Sequence, residues 1–344
     1  MTPATSVTPV TPVTPVTPVT RVAAIDCGTN TIRLLVADLE HDPHGTPRLT
    51  QVHRDSRIVR LGLGVDRTGR LDPAALARTL EAVSEYAEAC AGLGVDLASG
   101  HGRFVATSAT RDADNREDFV DGVRALTGLE PEVVSGQEEA RLSFAGSLLG
   151  AQDRAPVPGP GLVVDLGGGS TELILGDQAP LSAVSLDTGS VRVTERHLAH
   201  GVTPRAEDAA RAEVRALLAH GAESVDLGRA TALVGLAGTI TTVTAHALGL
   251  ERFDPEALNG AEISTEAALA SCEAIVHSTP AERESWGYLL PGRRDVIAAG
   301  ALVWSEIITC VVQATASGPH PVTTTVTSLN DILDGIALSV GERI

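Results

Sequence analysis

The chain has 344 residues, a net charge of −18 and 43% hydrophobic residues, which predicts about two folded domains and excludes a wholly disordered protein. Aromatic residues make up only 2%, and the negative charge opposes nucleic acid and anionic membranes, so we expect neither as a partner. All 26 basic residues are arginine, which excludes enzymes that depend on lysine, such as Walker A proteins, Schiff-base aldolases and pyridoxal enzymes.

The chain begins with a Thr-Pro-Val repeat over Thr8–Thr20. Residues 1–20 are predicted to be a disordered tail, because proline favours extended, solvated backbone. Two apolar runs separated by small polar residues follow in Val22–Leu39, a pattern that predicts strand, tight turn, strand. Helical periodicity then covers Pro73–Ala91, and the preceding Asp72 is a typical residue at a helix start.

Short strands and helices alternate through the rest of the first half, which predicts an α/β domain, domain I, over residues 21–150. A stretch rich in proline and glycine, Gln152–Gly161, marks the predicted boundary. The predicted elements before it are strands at Arg103–Thr107 and Glu132–Val134 and helices at Asn115–Thr127 and from Gly136.

The second half opens by repeating the first strand-turn-strand unit. Gly161–Asp177 aligns with the earlier unit without a gap, so that Asp165 corresponds to Asp26 and Gly167 to Gly28. Such a duplication predicts two similarly built domains that face each other. Domain II is accordingly predicted over residues 160–327.

Further helices are predicted in domain II and at the C-terminus. The segment 328–344, with its helix at Ser328–Ser339, is expected to pack back onto domain I. The other predicted helices are Val193–Leu198, Ala206–His220 and Glu266–His277.

Several features favour a cytoplasmic protein. No basic stretch followed by an apolar stretch opens the chain, as a secretory signal would. The uncharged segments Thr231–Leu250 and Ile307–Asn330 are interpreted as buried segments of a soluble domain, because they contain many Thr, Gly or Pro residues. No C-x-x-C pair occurs among the cysteines, which are Cys27, Cys90, Cys272 and Cys310.

Each of the two predicted turns offers successive backbone N–H groups beside small side chains, which lets a phosphate approach the backbone closely. An ordinary hairpin turn explains either turn alone, but two matching turns favour phosphate binding. A third stretch, Gly235–Leu248, could place a phosphate or nucleoside at a helix N-terminus. The candidate phosphate-binding residues are Gly28, Thr29, Asn30, Thr31, Gly167, Gly168, Gly169, Ser170 and Thr171.

Asp26 and Asp165 each end an apolar strand, where a carboxylate is costly to desolvate unless a cation or hydrogen bonds compensate. Mg²⁺, or another divalent cation, is the compensating ion that such a pair of carboxylates would hold together with water and phosphate. The alternative is an aspartate that only accepts N–H bonds from its own turn.

Other polar residues between and beyond the turns are candidates for chemistry. Glu138 and Glu139 open a helix, where glutamates often do no more than stabilise the helix dipole. Arg111 follows a strand, where its guanidinium could clamp a phosphate. His197 and His200 form an H-x-x-H pair with no third ligand in view, so we expect them at the surface.

The motifs, taken together and in order, resemble those of the Ppx/GppA phosphatases, the exopolyphosphatases and guanosine pentaphosphate phosphohydrolases. The resemblance runs from Ala23 to the C-terminus and matches the short, two-domain form. It implies two ribonuclease H-like domains of the actin, sugar kinase and Hsp70 superfamily around a cleft, and a homodimer. The motifs are IDCGTNT, ATSATRDADN, SGQEEARL, VVDLGGGSTELILG, GLAGTITT and PGRRDVIAAGAL.

The resemblance also implies roles for individual residues. The family's catalytic glutamate corresponds to Glu139 and its phosphate-contacting arginine to Arg111, while its metal-associated acidic residues correspond to Asp165 and Glu172. With Asp26, predicted above from its strand end, these complete the candidate metal ligands. Cys27 has no expected role as a nucleophile, because the family uses none.

The sequence therefore predicts metal-assisted hydrolysis of a terminal phosphoanhydride, in which orthophosphate is released from inorganic polyphosphate. Hydrolysis of the 5′ phosphate of guanosine pentaphosphate (pppGpp) is the alternative within enzymes. A protein that binds polyphosphate or guanosine penta- or tetraphosphate as a sensor, without turnover, is the alternative from another class. The presence of Glu139 and Arg111 together with both aspartates favours an enzyme.

Overall fold

Two β-sheets organise the residues described by the computed structural model, which are 19–42, 45–151 and 159–343. The predicted tail up to residue 18 and the boundary residues 152–158 lie outside them. The elements of the first half are β1 (Thr20–Cys27), β2 (Thr31–His41), β3 (Pro47–Ile58), α1 (Val65–Thr68), α2 (Pro73–Gly92), β4 (Gly102–Ala106), α3 (Ser108–Arg111), α4 (Arg116–Thr127), β5 (Glu132–Val133) and α5 (Gly136–Ala151).

The second half contains the remaining strands and helices, together with a π-helical turn at Thr194–Leu198. They are β6 (Gly161–Leu166), β7 (Thr171–Gly176), β8 (Pro180–Leu186), α6 (Ser190–Val193), α7 (Pro204–Gly221), β9 (Ala232–Leu236), α8 (Ala237–Ala247), α9 (Pro255–Leu258), β10 (Glu262–Ser264), α10 (Thr265–Val276), α11 (Pro280–Ser285), α12 (Ile297–Thr315), β11 (Thr324–Thr327) and α13 (Ile332–Gly341).

The strand order is β3-β2-β1-β4-β5 in the first sheet and β10-β11-β9-β6-β7-β8 in the second. In both sheets a central strand pairs antiparallel with the next strand of its hairpin and parallel with a later one. The register of the two hairpins is the same, since Asp26 pairs with Arg33 and Asp165 with Glu172. The predicted duplication and the α/β fold class are confirmed.

Most predicted elements are found within a few residues of their expected bounds. Helix α2 begins at Pro73, where the carboxylate of Asp72 accepts hydrogen bonds from the N–H groups of Ala74 and Ala75 at 2.9 and 3.0 Å. This is the N-cap that the sequence indicates. The predicted helix at Val193–Leu198 forms as the end of α6 and the π-helical turn.

Two predicted bounds are wrong. Thr20, placed in the tail, begins β1 and pairs with Leu39, because the long strand β2 extends far enough to offer it a backbone partner. The final helix begins at Ile332 and not at Ser328. Asp331 and Asp334 form a reciprocal capping box there, while the N–H of Ser328 bonds to the carbonyl of Gly235.

Helix α12 lies in the core of the second half and is the one described helix that is long and apolar enough to cross a membrane. Most of its surface is buried inside the protein, and Trp304 is fully enclosed. Its buried Glu306 pairs with Arg211 and Arg215 of α7. The helix packs against α7, α8 and α10.

Helix α5 contacts both halves of the molecule. Its Leu142 packs in a cluster with residues of β1, β2 and α13, such as Ala24 and Leu333. Its Phe144 packs on the other side with β6 and β7, including Val163 and Ile174. Helix α13 contacts α5, β1 and β2, so the C-terminal helix covers a face of the first sheet.

Two glycines allow α5 and α13 to cross closely. A Cβ atom at Gly146 would overlap the backbone carbonyl of Asp331, and one at Gly335 would overlap the carbonyl of Leu142. Backbone atoms of two packed helices cannot move aside as the end of a flexible side chain can. The crossing therefore depends on glycine at both positions.

We expect Gly146→Ala to lower the free energy of unfolding by about 3 kcal/mol, because it forces the two helix backbones apart. The matched control is Gly92→Ala, at the end of α2, where an added Cβ would contact nothing within 4 Å. That variant should be neutral or slightly stabilising. Urea unfolding of both variants checks this, and equal effects would contradict the close crossing.

Candidate active site

The turns of the two matching hairpins carry the same internal hydrogen bond. The N–H of Gly28 donates to the carbonyl of Thr31 at 2.9 Å, and the N–H of Gly167 donates to the carbonyl of Ser170 at 3.0 Å. These residues occupy equivalent positions of the repeat. The backbone geometry of the two turns therefore follows from the same short sequence pattern.

Neighbouring segments bind the carbonyl groups of both turns. In the first turn, the carbonyl of Thr29 accepts from Gly62 and that of Asn30 from Arg60. In the second, the carbonyl of Gly168 accepts from the N–H groups of Val191 and Arg192. No described residue accepts a hydrogen bond from the N–H of Gly168, Gly169 or Ser170. These donors are available to an anion.

The two turns contact each other beside a cleft that lies between the sheets. A Cβ atom at Gly169 would lie 2.6 Å from the Oγ1 of Thr29 and 2.7 Å from the Oγ of Ser108. Thr29 and Ser108 are themselves joined by a hydrogen bond of 2.9 Å. Glycine is thus required at position 169 because the first half of the chain approaches its backbone so closely.

Most of the predicted site residues line this cleft. They are Asp26, Gly28, Thr29, Asn30, Thr31, Glu139, Asp165, Gly167, Gly168, Ser170 and Glu172. Three others do not. Gly169 lies at the contact between the turns, the hydroxyl of Thr171 donates to the carbonyl of Thr188 at 2.7 Å, and Arg111 faces Glu139. The prediction that the hydroxyl of Thr171 donates to a phosphate is therefore corrected, because its proton is already donated to Thr188.

Glu139 lies in the first turn of α5 and is only 7% exposed. Its carboxylate accepts a hydrogen bond of 3.1 Å from Arg111, whose guanidinium also donates to the carbonyl of Val134. Burial raises the pKa of Glu139 to about 7, although the charge of Arg111 opposes the rise. Arg111 thus holds a carboxylate of the cleft in this structure.

Asp165 and Glu172 face each other across β6 and β7, and each accepts a hydrogen bond from a serine hydroxyl. Ser143 of α5 donates to Asp165 at 2.6 Å, and Ser185 of β8 donates to Glu172 at 2.8 Å. Burial raises the pKa of Asp165 to about 6 and that of Glu172 well above its ordinary value. Nearby carboxylates add to both shifts.

Asp26 has a different partner from its counterpart Asp165. The Nε and Nη2 atoms of Arg33 donate to its Oδ2 at 2.9 and 2.6 Å, while its buried Oδ1 has no hydrogen-bond partner among the described residues. Arg33 also pairs with Asp331, the N-cap of α13. One oxygen of Asp26 thus remains for the predicted metal, and the other belongs to an ion pair with Arg33.

Arg293 is a functional candidate that the sequence analysis missed as a residue of this site. It lines the cleft, and its guanidinium lies against Gly238, where a Cβ atom would overlap it. No hydrogen bond or ion pair of its side chain to a described residue is found, and burial lowers its pKa to about 10. The PGRRD motif contains this arginine, but only the fold shows that it reaches the cleft.

The third predicted stretch also contributes to the cleft. Ala237, Gly238 and Thr239 line it at the start of α8. Ala237 has a φ of 70°, a left-handed conformation that is strained for a residue with a Cβ atom. The surrounding structure holds this conformation where β9 passes into the helix.

Other candidates lie outside the cleft lining. His197 pairs with Glu213 at 2.6 Å. The one group of three potential metal ligands whose atoms lie within 4.8 Å of one another, among the described residues, is Glu207, Glu273 and His277. Cys27 is fully buried, and burial raises the pKa of its thiol, so it is no nucleophile.

Comparison with known proteins points in one direction. The Ppx/GppA phosphatase family matches residues 39–316. Exopolyphosphatase 2 of Mycobacterium tuberculosis is 42% identical over 332 residues, which cover 93% of this chain and 98% of that protein. A crystal structure of an exopolyphosphatase-like protein is similar with a TM-score of 0.88 and 41% identity, covering 94% of this chain and 98% of the other. The Aquifex aeolicus family member has a TM-score of 0.72 at 25% identity, with coverage of 95% and 98%.

Proposed function

The chain belongs to the Ppx/GppA phosphatase family, as its motifs predict, and we propose that it releases orthophosphate from the ends of inorganic polyphosphate. The observation that carries the proposal is the meeting of the two turns. Unpartnered N–H groups lie at one side of a cleft that also holds the buried carboxylates of Glu139, Asp165 and Glu172. A phosphate chain is the substrate class that such donors bind.

Arg293 adds a positive charge to this proposed phosphate site. Its guanidinium lines the cleft and has no hydrogen bond or ion pair with the described residues, whereas Arg33 and Arg111 are engaged with carboxylates. An arginine free of protein partners can bind two phosphate oxygens at once. We assign it to the substrate and leave Arg111 to hold Glu139.

Mg²⁺, or another divalent cation, fits the carboxylates of the cleft. Asp26 has a buried oxygen without a partner in the described part of the chain, and burial raises the pKa of Asp26, Asp165 and Glu172. A cation would remove the cost of burying these charges. The oxygens of Asp26, Asp165 and Glu172 do not all lie within 4.8 Å of one another. One or two of these carboxylates would therefore hold the cation, and water and substrate phosphate would complete its coordination shell. Once bound, it would neutralise oxygens of the phosphate under attack.

Glu139 is the residue we assign to the attacking water. Its carboxylate lines the cleft, and its pKa of about 7 suits a group that accepts a proton near neutral pH. Arg111 fixes the carboxylate from behind through their 3.1 Å hydrogen bond. The turns hold the terminal phosphate in line, and the chemistry asks for positioning and charge neutralisation more than for covalent catalysis.

The test of the proposal is orthophosphate release from polyphosphates of defined length beside pppGpp. Many of the arginines outside the cleft are paired with carboxylates, and the net charge is −18, so only the terminal phosphates should be bound tightly. We expect release from short chains, with kcat/KM nearly independent of length. Faster release from pppGpp would favour the nucleotide as substrate, and binding without release would favour a sensor.

We expect Glu139→Gln to lower kcat by ~10² to 10⁴-fold with little change in KM, because the amide keeps the shape but accepts no proton. The matched control is Glu138→Gln, since that carboxylate pairs with Arg103 and Arg141 and does not line the cleft. Wild-type kcat/KM should rise with pH through about 7 as Glu139 loses its proton. A larger loss in the Glu138 variant would reassign the role.

We expect Asp165→Asn to raise the Mg²⁺ concentration needed for half-maximal activity by more than about tenfold, because the amide carries no charge to hold the cation. The control is Asp177→Asn, at the exposed end of the same hairpin. Both titrations measure orthophosphate release. Unchanged Mg²⁺ activation of the Asp165 variant would remove this residue from the proposed metal site.

A further inference from the structure

Arg192 belongs to the short helix α6, and its guanidinium donates hydrogen bonds to three different residues. Its Nε donates to the carbonyl of Gly169 at 2.7 Å. Its Nη1 donates to Asp66 at 2.5 Å and its Nη2 to Asp112 at 2.6 Å. Asp66 and Asp112 belong to the first half of the chain, and Gly169 belongs to the turn of the second. The side chain is only 11% exposed.

Successive residues of α6 donate hydrogen bonds to the carbonyl groups of the second turn. The N–H of Ser190 binds the carbonyl of Gly167, and the N–H groups of Val191 and Arg192 bind that of Gly168. The carbonyl of Gly169 is the exception, because a side chain binds it. That side chain is in turn held by carboxylates of the other half of the molecule.

The orientation of the Gly169 carbonyl fixes a hydrogen-bond donor in the cleft. In a planar trans peptide the C=O and the following N–H point in opposite directions. A carbonyl of Gly169 that faces Arg192 therefore turns the N–H of Ser170 to the opposite side. Ser170 lines the cleft, and its N–H has no acceptor among the described residues. A peptide next to glycine rotates readily when nothing holds it.

We propose that Arg192 is a positioning residue for phosphate binding. The ion pairs with Asp66 and Asp112 hold its guanidinium in place. The guanidinium in turn holds the Gly169 peptide, and this peptide directs the N–H of Ser170 toward the bound phosphate. Contact between the two halves of the chain is thereby linked to the affinity of the second turn for phosphate. The inference rests on the proposed function only in taking phosphate as the ligand.

Arg196 provides a matched control on the same surface. It also pairs with Asp66, at 2.7 Å, and with Glu213, but no hydrogen bond links it to the glycine turn. Replacing Arg196 removes an ion pair between the two halves and leaves the Gly169 peptide bound. Replacing Arg192 removes both kinds of contact.

The experiment measures the binding of tripolyphosphate by calorimetry in the Glu139→Gln protein, which should bind without turnover. We expect Arg192→Ala to raise Kd about tenfold, the value of one hydrogen bond to a charged ligand, and Arg196→Ala to raise it less than about twofold. Both should lower Tm, and Arg192→Ala should lower it more, because Arg192 pairs with Asp112 as well as with Asp66 and also binds the Gly169 carbonyl. Arg192→Lys should restore much of the Tm but not the Kd, since an ammonium lacks the planar set of donors.

Equal increases of Kd in the Arg192→Ala and Arg196→Ala proteins would overturn the proposal, because the effect would then follow from the ion pairs alone. An unchanged Kd in Arg192→Ala would overturn it as well. Orthophosphate release by the protein with Glu139 intact is measured separately. If it releases none from polyphosphate, the proposed function fails while the binding comparison still decides the role of Arg192.

Discussion

The cost of burying carboxylates between two sheets governs the arrangement of the cleft. Each such group loses hydration that the protein must replace with a hydrogen bond, an opposite charge or a bound cation. The compensation is only partial, because one oxygen of Asp26 has no partner within the described ranges and the pKa values of Glu139 and Asp165 stay raised. Carboxylates with such raised pKa values favour the binding of a cation and can themselves take up a proton during a reaction. The carboxylates concerned are Asp26, Glu139, Asp165 and Glu172.

The duplicated hairpin shows how one backbone unit serves two purposes. In both sheets an aspartate at the end of the central strand pairs across the hairpin with a charged residue of the next strand. In the first sheet that residue is Arg33, which neutralises Asp26 and reaches Asp331. In the second it is Glu172, which adds a negative charge beside Asp165. The first hairpin thus ties the C-terminal helix to the cleft, and the second supplies the candidate metal ligands.

Helix α5 packs against both sheets and also carries residues of this cleft. One face packs with α13 and the first sheet and another packs on the second sheet, so the position of Glu139 depends on both cores. Ser143, one turn after Glu139, binds Asp165 from the same helix. On the other side of the glycine turns, Arg192 joins the two halves of the chain. The geometry of the site is therefore a property of how the halves pack.

The sequence by itself determined the local units: the matching hairpins, the N-cap at Asp72 and the glycine turns, because strand alternation and turn chemistry act over a few residues. The motif order also determined the family. Only the tertiary structure decided which charges meet. It placed Arg111 against Glu139, turned the hydroxyl of Thr171 to a carbonyl, brought Arg293 into the cleft and started the last helix at Asp331. These contacts join residues far apart in the chain, and desolvation and packing at such contacts have no counterpart in local sequence patterns.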